Sequence, residues 1–513
     1  MLSLRVLLSL AAAAAAASSS LAAPTPTPCL PTCICTATSY SCVNRNITAF
    51  PADMFLGWGA LETVNLAGNR ATSLPAGWLS GLPALASLDI SGNPLTSLPA
   101  GWLSGLPALA SLGLAGLPLN SSFDVAAVLG PQPLLALTTL TLDKPTLLGG
   151  GGACPDLSPL ATLAPRLATL SARFGLTRIP PRSFAGLRLA SLDLSKNSLP
   201  TLTNGSFDGL EVGEVKLEWC GISAIEPGAF FGLVAQNVDL YFNQISHDSL
   251  PAGGLVLPGV SALCLAGNPF DARVFAAPLF ASAPRLTSLD FMGGMGLGPY
   301  IGELPPRAFA STPTLTSLQL FNSGISSFAP GAFEGLPNLV FLNIGFNLGF
   351  GAVPAHLFDP LPALQTLVIN NGALGGDGAL TADAFAHNPA LAALDLSYNN
   401  PGIAGLPPAL LARCDKLATI DLSYQNGGLA LARGTFAGIN ASGALQAPVS
   451  INLIHDQMAG YAGFTKEPEI VAAICAEAQA SPVSCSVAWS PQDPPAESEF
   501  GAGWKGFDVL RSA

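Results

Sequence analysis

Residues 72–88, TSLPAGWLSGLPALASL, recur without a change at 96–112. An identical block displaced by 24 residues is a duplicated structural unit, and a unit this short cannot bury its own apolar face. Neighbouring units must stack, so the chain reads as a solenoid whose core grows with length, which suits 513 residues better than one compact core. Leu61, Leu85 and Leu109 open successive units, and the template L-x-x-L-x-L-x-x-N-x-L-x-x-L-P is clearest at Leu85, Leu88, Ile90, Asn93, Leu95, Leu98 and Pro99. The frame continues through Leu189-Leu192-Leu194-Asn197, Leu315-Leu318-Leu320, Leu339-Leu342-Ile344-Asn347, Leu364-Leu367-Ile369, Leu391-Leu394-Leu396-Asn399 and Leu417-Ile420-Leu422. About fifteen units are expected over 61–455.

Each residue type in the template has a physical task. The L-x-x-L-x-L segment predicts a short strand with leucines inward and the intervening residues outward, on a parallel sheet shared by the stacked units. Asn69, Asn93, Asn197, Asn243, Asn268, Asn347 and Asn399 carry both a donor and an acceptor, and can satisfy backbone groups where the strand turns inward. The second half of each unit is broken by Pro and Gly, which predicts loops and short helical turns. Trp78, Trp102, Phe184, Phe207, Phe230, Phe309, Phe333, Phe358, Phe385 and Phe436 recur near one point of the unit and are expected in the core. The template matches the leucine-rich repeat pattern, so the expected fold is an α/β solenoid: a horseshoe with its parallel β-sheet on the concave face and loops or short helical turns on the convex face.

An open solenoid needs capped ends. Over 24–60 the spacing C-x3-C-x-C-x6-C, from Cys29, Cys33, Cys35 and Cys42, precedes the first unit. Four clustered cysteines can hold zinc or form disulfides, and an oxidising compartment favours disulfides. The motif and its position resemble the cysteine-rich amino-terminal flank of extracellular leucine-rich repeat proteins, the group of Toll-like receptors, the Nogo receptor, slit proteins and small leucine-rich proteoglycans. That resemblance implies the pairs Cys29–Cys35 and Cys33–Cys42. The carboxy end departs from the group: only Cys475 and Cys485 follow the repeats, near a helix expected over 466–479, so one disulfide is expected in a cap over 456–486, ahead of a weakly structured tail, 487–513. Cys154, Cys220, Cys264 and Cys414 have no evident partner by spacing, and Cys220 occupies the Asn position of its unit.

The first 23 residues, with Arg5, the apolar run Val6–Ala17 and small residues up to Ala23, read as a secretory leader. Later apolar stretches are interrupted, as at Pro258, Gly259 and Asn268, so no transmembrane segment is expected beyond the leader. Sequons at Asn46, Asn120, Asn204 and Asn440 fit a secreted glycoprotein and an extracellular address. A net charge of -12 argues against a nucleic-acid partner.

Signs of catalysis are weak. His247, His356, His387 and His455 are isolated in the sequence, and no metal-binding or nucleophile-elbow motif occurs. Gly149–Gly152 lacks a following Lys-Ser or Lys-Thr, and the G-x-G-x-x-G at Gly501–Gly506 lacks the strand and helix that would give it meaning. No enzyme activity, cofactor or metal is expected.

A ligand is expected on the outward strand positions. Asp89, Asp193, Asp239, Asp290, Asp395 and Asp421 form a column there, although L-D-L-S is a common form of the repeat itself. Glu214, Lys216, Glu218 and Trp219 in one unit, and Asn237, Asp239, Tyr241 and Phe242 in the next, place large aromatics beside charges and make the leading contact region. Phe321, Phe341, Asn343 and Phe346 form a second candidate. The expected partner is a protein or glycoconjugate; a matrix spacer and a secreted enzyme inhibitor are the alternatives.

Overall fold

In a computed structural model the described residues run over 26–452 and 485–488, apart from 117–123, 144–151, 174, 276–278, 281–282, 294–300, 373, 376–377, 400–402, 404, 426–429, 432–434, 437–438, 440 and 441–448. The chain divides into two compact units, 1–197 with 209–212, and 198–208 with 213–513.

In the first unit, Ile34–Cys35 pairs antiparallel with Ser39–Ser41, which starts a parallel ladder through Thr63–Asn65, Ser87–Asp89, Ser111–Gly113, Thr139–Thr141, Thr169–Ser171 and Arg188–Asp193. The second unit takes Gly213–Lys216 of the strand Glu211–Lys216. Its ladder then runs from Val234–Asp239 and Val260–Cys264 through Ser288–Asp290, Ser317–Gln319, Phe341–Asn343, Thr366–Val368, Ala393–Asp395, Thr419–Asp421 and Val449–Asn452 to Cys485–Ala488. Both ladders follow the parallel solenoid expected of leucine-rich repeats.

The register explains the template. Val238, Leu263, Leu289, Leu318, Leu342, Leu367, Leu394, Ile420 and Ile451 pair strand to strand as one buried column. Strand side chains alternate between faces, so the next residue of each strand points outward, giving the row Asp239, Cys264, Asp290, Gln319, Asn343, Val368, Asp395, Asp421 and Asn452. The ladder asparagines close the turn beyond each strand. Asn347 Nδ2 donates to the carbonyls of Leu320 and Ile344, each at 2.8 Å, while its Oδ1 accepts the Ile325 N–H at 3.0 Å. Asn243 makes the same set with Leu217, Leu240, Cys220 and Ile222. Gln425 substitutes for Asn in one turn, bonding Leu396 O and Ile403 N.

Opposite the sheet, regular structure is short: helices Val125–Leu129 and Leu160–Leu163, 3-10 turns His247–Ser249 and Ala272–Phe275, and small parallel pairs such as Gly302–Leu304 with Ile325–Phe328. Every recurring aromatic expected in the core is buried. Phe333, Phe358 and Phe385 stack from turn to turn at 6.4 and 5.9 Å.

At the amino end the cysteines are joined Cys29–Cys35 and Cys33–Cys42. Under them Tyr40 packs edge-on against Phe55 and Trp58, and its hydroxyl accepts the Leu30 N–H. Cys154, Cys220, Cys264 and Cys414 form no disulfide among the described residues. At the carboxy end the parallel ladder passes residue 455, and Cys485–Ala488 crosses the boundary expected between cap and tail. Cys475, and with it the expected Cys475–Cys485 pair and the 466–479 helix, lies outside the described residues.

Asn347→Ala strips partners from two carbonyls and one N–H in a dry turn, at an expected cost of about 2–4 kcal/mol in urea unfolding. Asn338→Ala, at an exposed residue with one bond to Pro313 O, should cost under about 1 kcal/mol. Equal losses would show that the buried asparagines do not hold the stack.

Candidate ligand-binding face

The residue just before the ladder position adopts the left-handed backbone conformation in most turns. It is glycine at Gly68, Gly92 and Gly267, but Trp219 (φ 56°), Phe242 (φ 51°), Phe346 (φ 58°), Tyr398 (φ 56°) and Tyr424 (φ 58°) in the second unit. Positive φ is strained for a bulky side chain, and such strain is retained where its surroundings over-determine it. These rings are held at the edge of the sheet, where Trp219 stacks on Phe242 and Tyr398 on Tyr424.

Trp219 lies on Phe242 with ring centroids 4.3 Å apart and planes 12° from parallel, and Tyr241 meets Phe242 edge-on at 4.5 Å. The Phe242 ring leans over the following turn, where a Cβ on Gly267 would come within 2.7 Å of its Cδ2. Trp219 is 51% exposed despite the stacking. The leading contact region of the sequence is therefore one continuous aromatic surface crossing three turns. Glu214 and Lys216 form an ion pair at 3.2 Å beside it.

The acidic column has a structural task. Asp89, Asp193, Asp239, Asp290, Asp395 and Asp421 each accept the backbone N–H two residues on, at 2.8–2.9 Å, closing the turn after the strand. Their other surroundings differ. Arg173 lies 3.7 Å from Asp193, and Asp395 and Asp421 each receive an asparagine amide, from Asn370 and Asn452. Asp239 is bonded by the Cys264 thiol, and burial raises its carboxyl above the usual range. Asp290 has no ion-pair or side-chain hydrogen-bond partner among the described residues; burial pushes its carboxyl up to about 6, opposed by the Met292 N–H and reinforced by the charge of Asp239. The Tyr241 phenol is also raised, by burial first and then by Cys264, Asp290, Glu218 and Asp239 around it.

The second sequence candidate is only partly brought together. Phe321 and Phe346 touch at 5.3 Å, and Phe341 is half-buried on its strand. Asn343 is not available to a ligand: it is buried, and its Oδ1 accepts the Gly345 N–H at 2.8 Å. It does the work that aspartate does in other turns.

Three arrangements escaped the sequence reading. Tyr398 and Tyr424, one turn apart, stack at 4.2 Å and 11°, and their shared place before the ladder residue was the signal that could have found them. Asp143 takes two bonds from the Arg173 guanidinium and one from Ser171. The histidines are not all isolated: His356 and His387 each place Nδ1 3.0 Å from Asp359. Of the sequons, Asn46 and Asn204 are exposed, with Asn204 Oδ1 accepting the Gly228 N–H; Asn120 and Asn440 lie outside the described residues.

Ladder and buried asparagines make a leucine-rich repeat solenoid whose amino-terminal flank is closed by two disulfides. The Leucine rich repeat family profile matches residues 43–95, 59–119, 299–348 and 313–374. Among known proteins, the chain is 32% identical to mouse Tsukushi over 208 residues, 39% of this chain and 55% of that protein. It is 34% identical to mouse Podocan over 175 residues, 33% of this chain and 26% of that one. The chain thus spans about half the length of Tsukushi and a quarter of Podocan. Among solved structures, a chain of the Drosophila Toll–Spatzle complex superposes with a TM-score of 0.50 at 17% identity, covering 79% of this chain and 52% of that one, a likeness of fold. No helix among the described residues is long and apolar enough to cross a membrane.

Asp290 generates a pH prediction. Its folded pKa is raised from 3.8 to about 6, so the stabilisation of its protonated form is complete below about pH 4 and is lost as pH rises through about 6. Asp290→Asn keeps the acceptor for Met292 and removes the charge. In urea unfolding it should gain on the unsubstituted chain between about pH 4 and pH 7, by on the order of 1–3 kcal/mol. A difference that does not vary with pH would count against a half-buried, charged Asp290.

Proposed function

We propose that the chain is an extracellular recognition module that engages a protein or glycoconjugate through the outward face of its second-unit ladder. The observation that carries this reading is the aromatic surface of exposed Trp219 and half-buried Tyr241 and Phe242 beside Glu214, Lys216 and Glu218, held just beyond the strand ends. Large rings next to charges on a preorganised backbone are the composition of binding hot spots. Retaining bulky rings at positions where glycine serves equally well for the turn supports a role for those rings beyond folding. The family profile and the similarity to Tsukushi and Podocan are consistent with such a module.

The test is to express the chain with a tag as a secreted protein, identify what it captures from its own cells and medium, and titrate the captured partner. Binding should saturate and weaken at least about tenfold in a Lys216→Ala, Trp219→Ala, Tyr241→Ala variant whose melting temperature is preserved. Undiminished affinity in that variant would remove this face from the function.

A further inference from the structure

The aromatic surface overhangs a floor of different character. Beyond Tyr241 and Phe242 the next strand offers only small outward residues, Ala262 and Cys264, with Gly267 in the turn that follows it. Along that floor the outward row reads Asp239, Cys264, Asp290, Gln319, each in register with the next. Its principal free chemistry is acceptance of hydrogen bonds. Asp290 has no cation beside it among the described residues, and the Oε1 of Gln319 on the adjacent strand is shielded from solvent with no hydrogen-bond partner. Adjacent strands are about 4.8 Å apart, so one donor-rich group can reach Asp290 and Gln319 together. Glu214, Glu218 and Asp239 outweigh Lys216, which is already held by Glu214.

From this we infer that the row from Asp239 to Gln319, walled by Trp219, Tyr241 and Phe242, seats a guanidinium group: the occupant is an arginine-bearing basic segment of a protein partner, with an arginine between Asp290 and Gln319. The inference rests on the recognition role proposed above and names the chemistry of its ligand. A guanidinium is planar, lies flat against an aromatic ring, and presents several N–H donors in a fixed fork, which suits a carboxylate beside an unfilled amide oxygen. An ammonium supplies the charge but not the plane. A sulfated glycan meets the wrong sign of charge.

The experiment titrates the full chain with fluorescein-labelled hexa-arginine, hexa-lysine and a heparin-derived hexasaccharide at physiological ionic strength. Hexa-arginine should bind saturably and tighter than hexa-lysine. Asp290→Asn, which keeps the turn bond to Met292, and Gln319→Met should each weaken it by about fivefold to tenfold, as should Tyr241→Ala. Asp89→Asn, which makes the same kind of change at the corresponding turn of the first unit, should leave binding unchanged. Equal weakening by Asp89→Asn would mean generic attraction to an acidic chain and overturn the seat, as would hexa-arginine binding indifferent to Asp290 and Gln319, absent binding, or preference for the hexasaccharide. If the Trp219 and Tyr241 variants abolish binding of a captured partner while hexa-arginine does not bind, the cation seat falls and the recognition role stands. If they abolish neither, both fall.

Discussion

The buried asparagine at the end of each strand is the interaction on which the rest depends. Its amide does what no apolar side chain can: Asn243 gives hydrogens to the carbonyls of Leu217 and Leu240 and takes them from the N–H groups of Cys220 and Ile222. One of those groups, Leu240 O, belongs to the asparagine's own turn and the other three to its neighbour, so a single side chain closes a turn and fastens it to the next. Backbone groups bared in a dry interior cost more than the bonds themselves contribute, which makes the position intolerant of apolar replacement. The departures obey the same rule: Gln425 reaches its carbonyl with a longer amide, and Ser323 reaches Phe291 O with a hydroxyl.

That constraint also creates the candidate site. The chain must reverse between strand and asparagine, and the residue in between is driven to positive φ. Glycine is the relaxed solution, used at Gly68 and Gly92. An aromatic residue there is held at the sheet edge by a turn that the buried core has already fixed. Trp219 and Phe242 are therefore preorganised against each other before any partner arrives, and little side-chain entropy remains to be lost on binding. Surface chemistry can vary from turn to turn at this position while the leucine column beneath stays the same.

How much of this was legible follows from the spacing. Anything repeated at the period could be read: the strands, the asparagines, the core aromatics, and the rings at 219 and 242. What the sequence concealed are contacts between residues about one period apart that share no motif. His387 looks isolated along the chain, yet stacking brings it to Asp359, which His356 also meets from within the same turn. Tyr398 and Tyr424 were hidden by the ordinary look of L-S-Y next to a polar residue. Asn343 was misread because an outward strand position was equated with exposure, whereas its side chain folds back onto the Gly345 N–H. The strand Cys485–Ala488 carries no leucine template at all and is placed by pairing with Val449–Asn452.

The acidic column shows why a repeated residue need not have a repeated role. All six aspartates close the same turn, and for that task they are interchangeable. Their outer sides answer to whatever the neighbouring turns on either side present: Arg173 near Asp193 and Asn370 on Asp395 from the preceding turn, Asn452 on Asp421 and a thiol on Asp239 from the following strand. At Asp290 the neighbours in register are Cys264 and Gln319, neither of which supplies it a hydrogen bond. A half-buried carboxylate in that position raises the energy of the free protein, and a donor arriving from outside would relieve it. The strength of such a site comes from what the fold has left unsatisfied, and it resides at one turn because only the neighbouring strands, not the repeat itself, determine it.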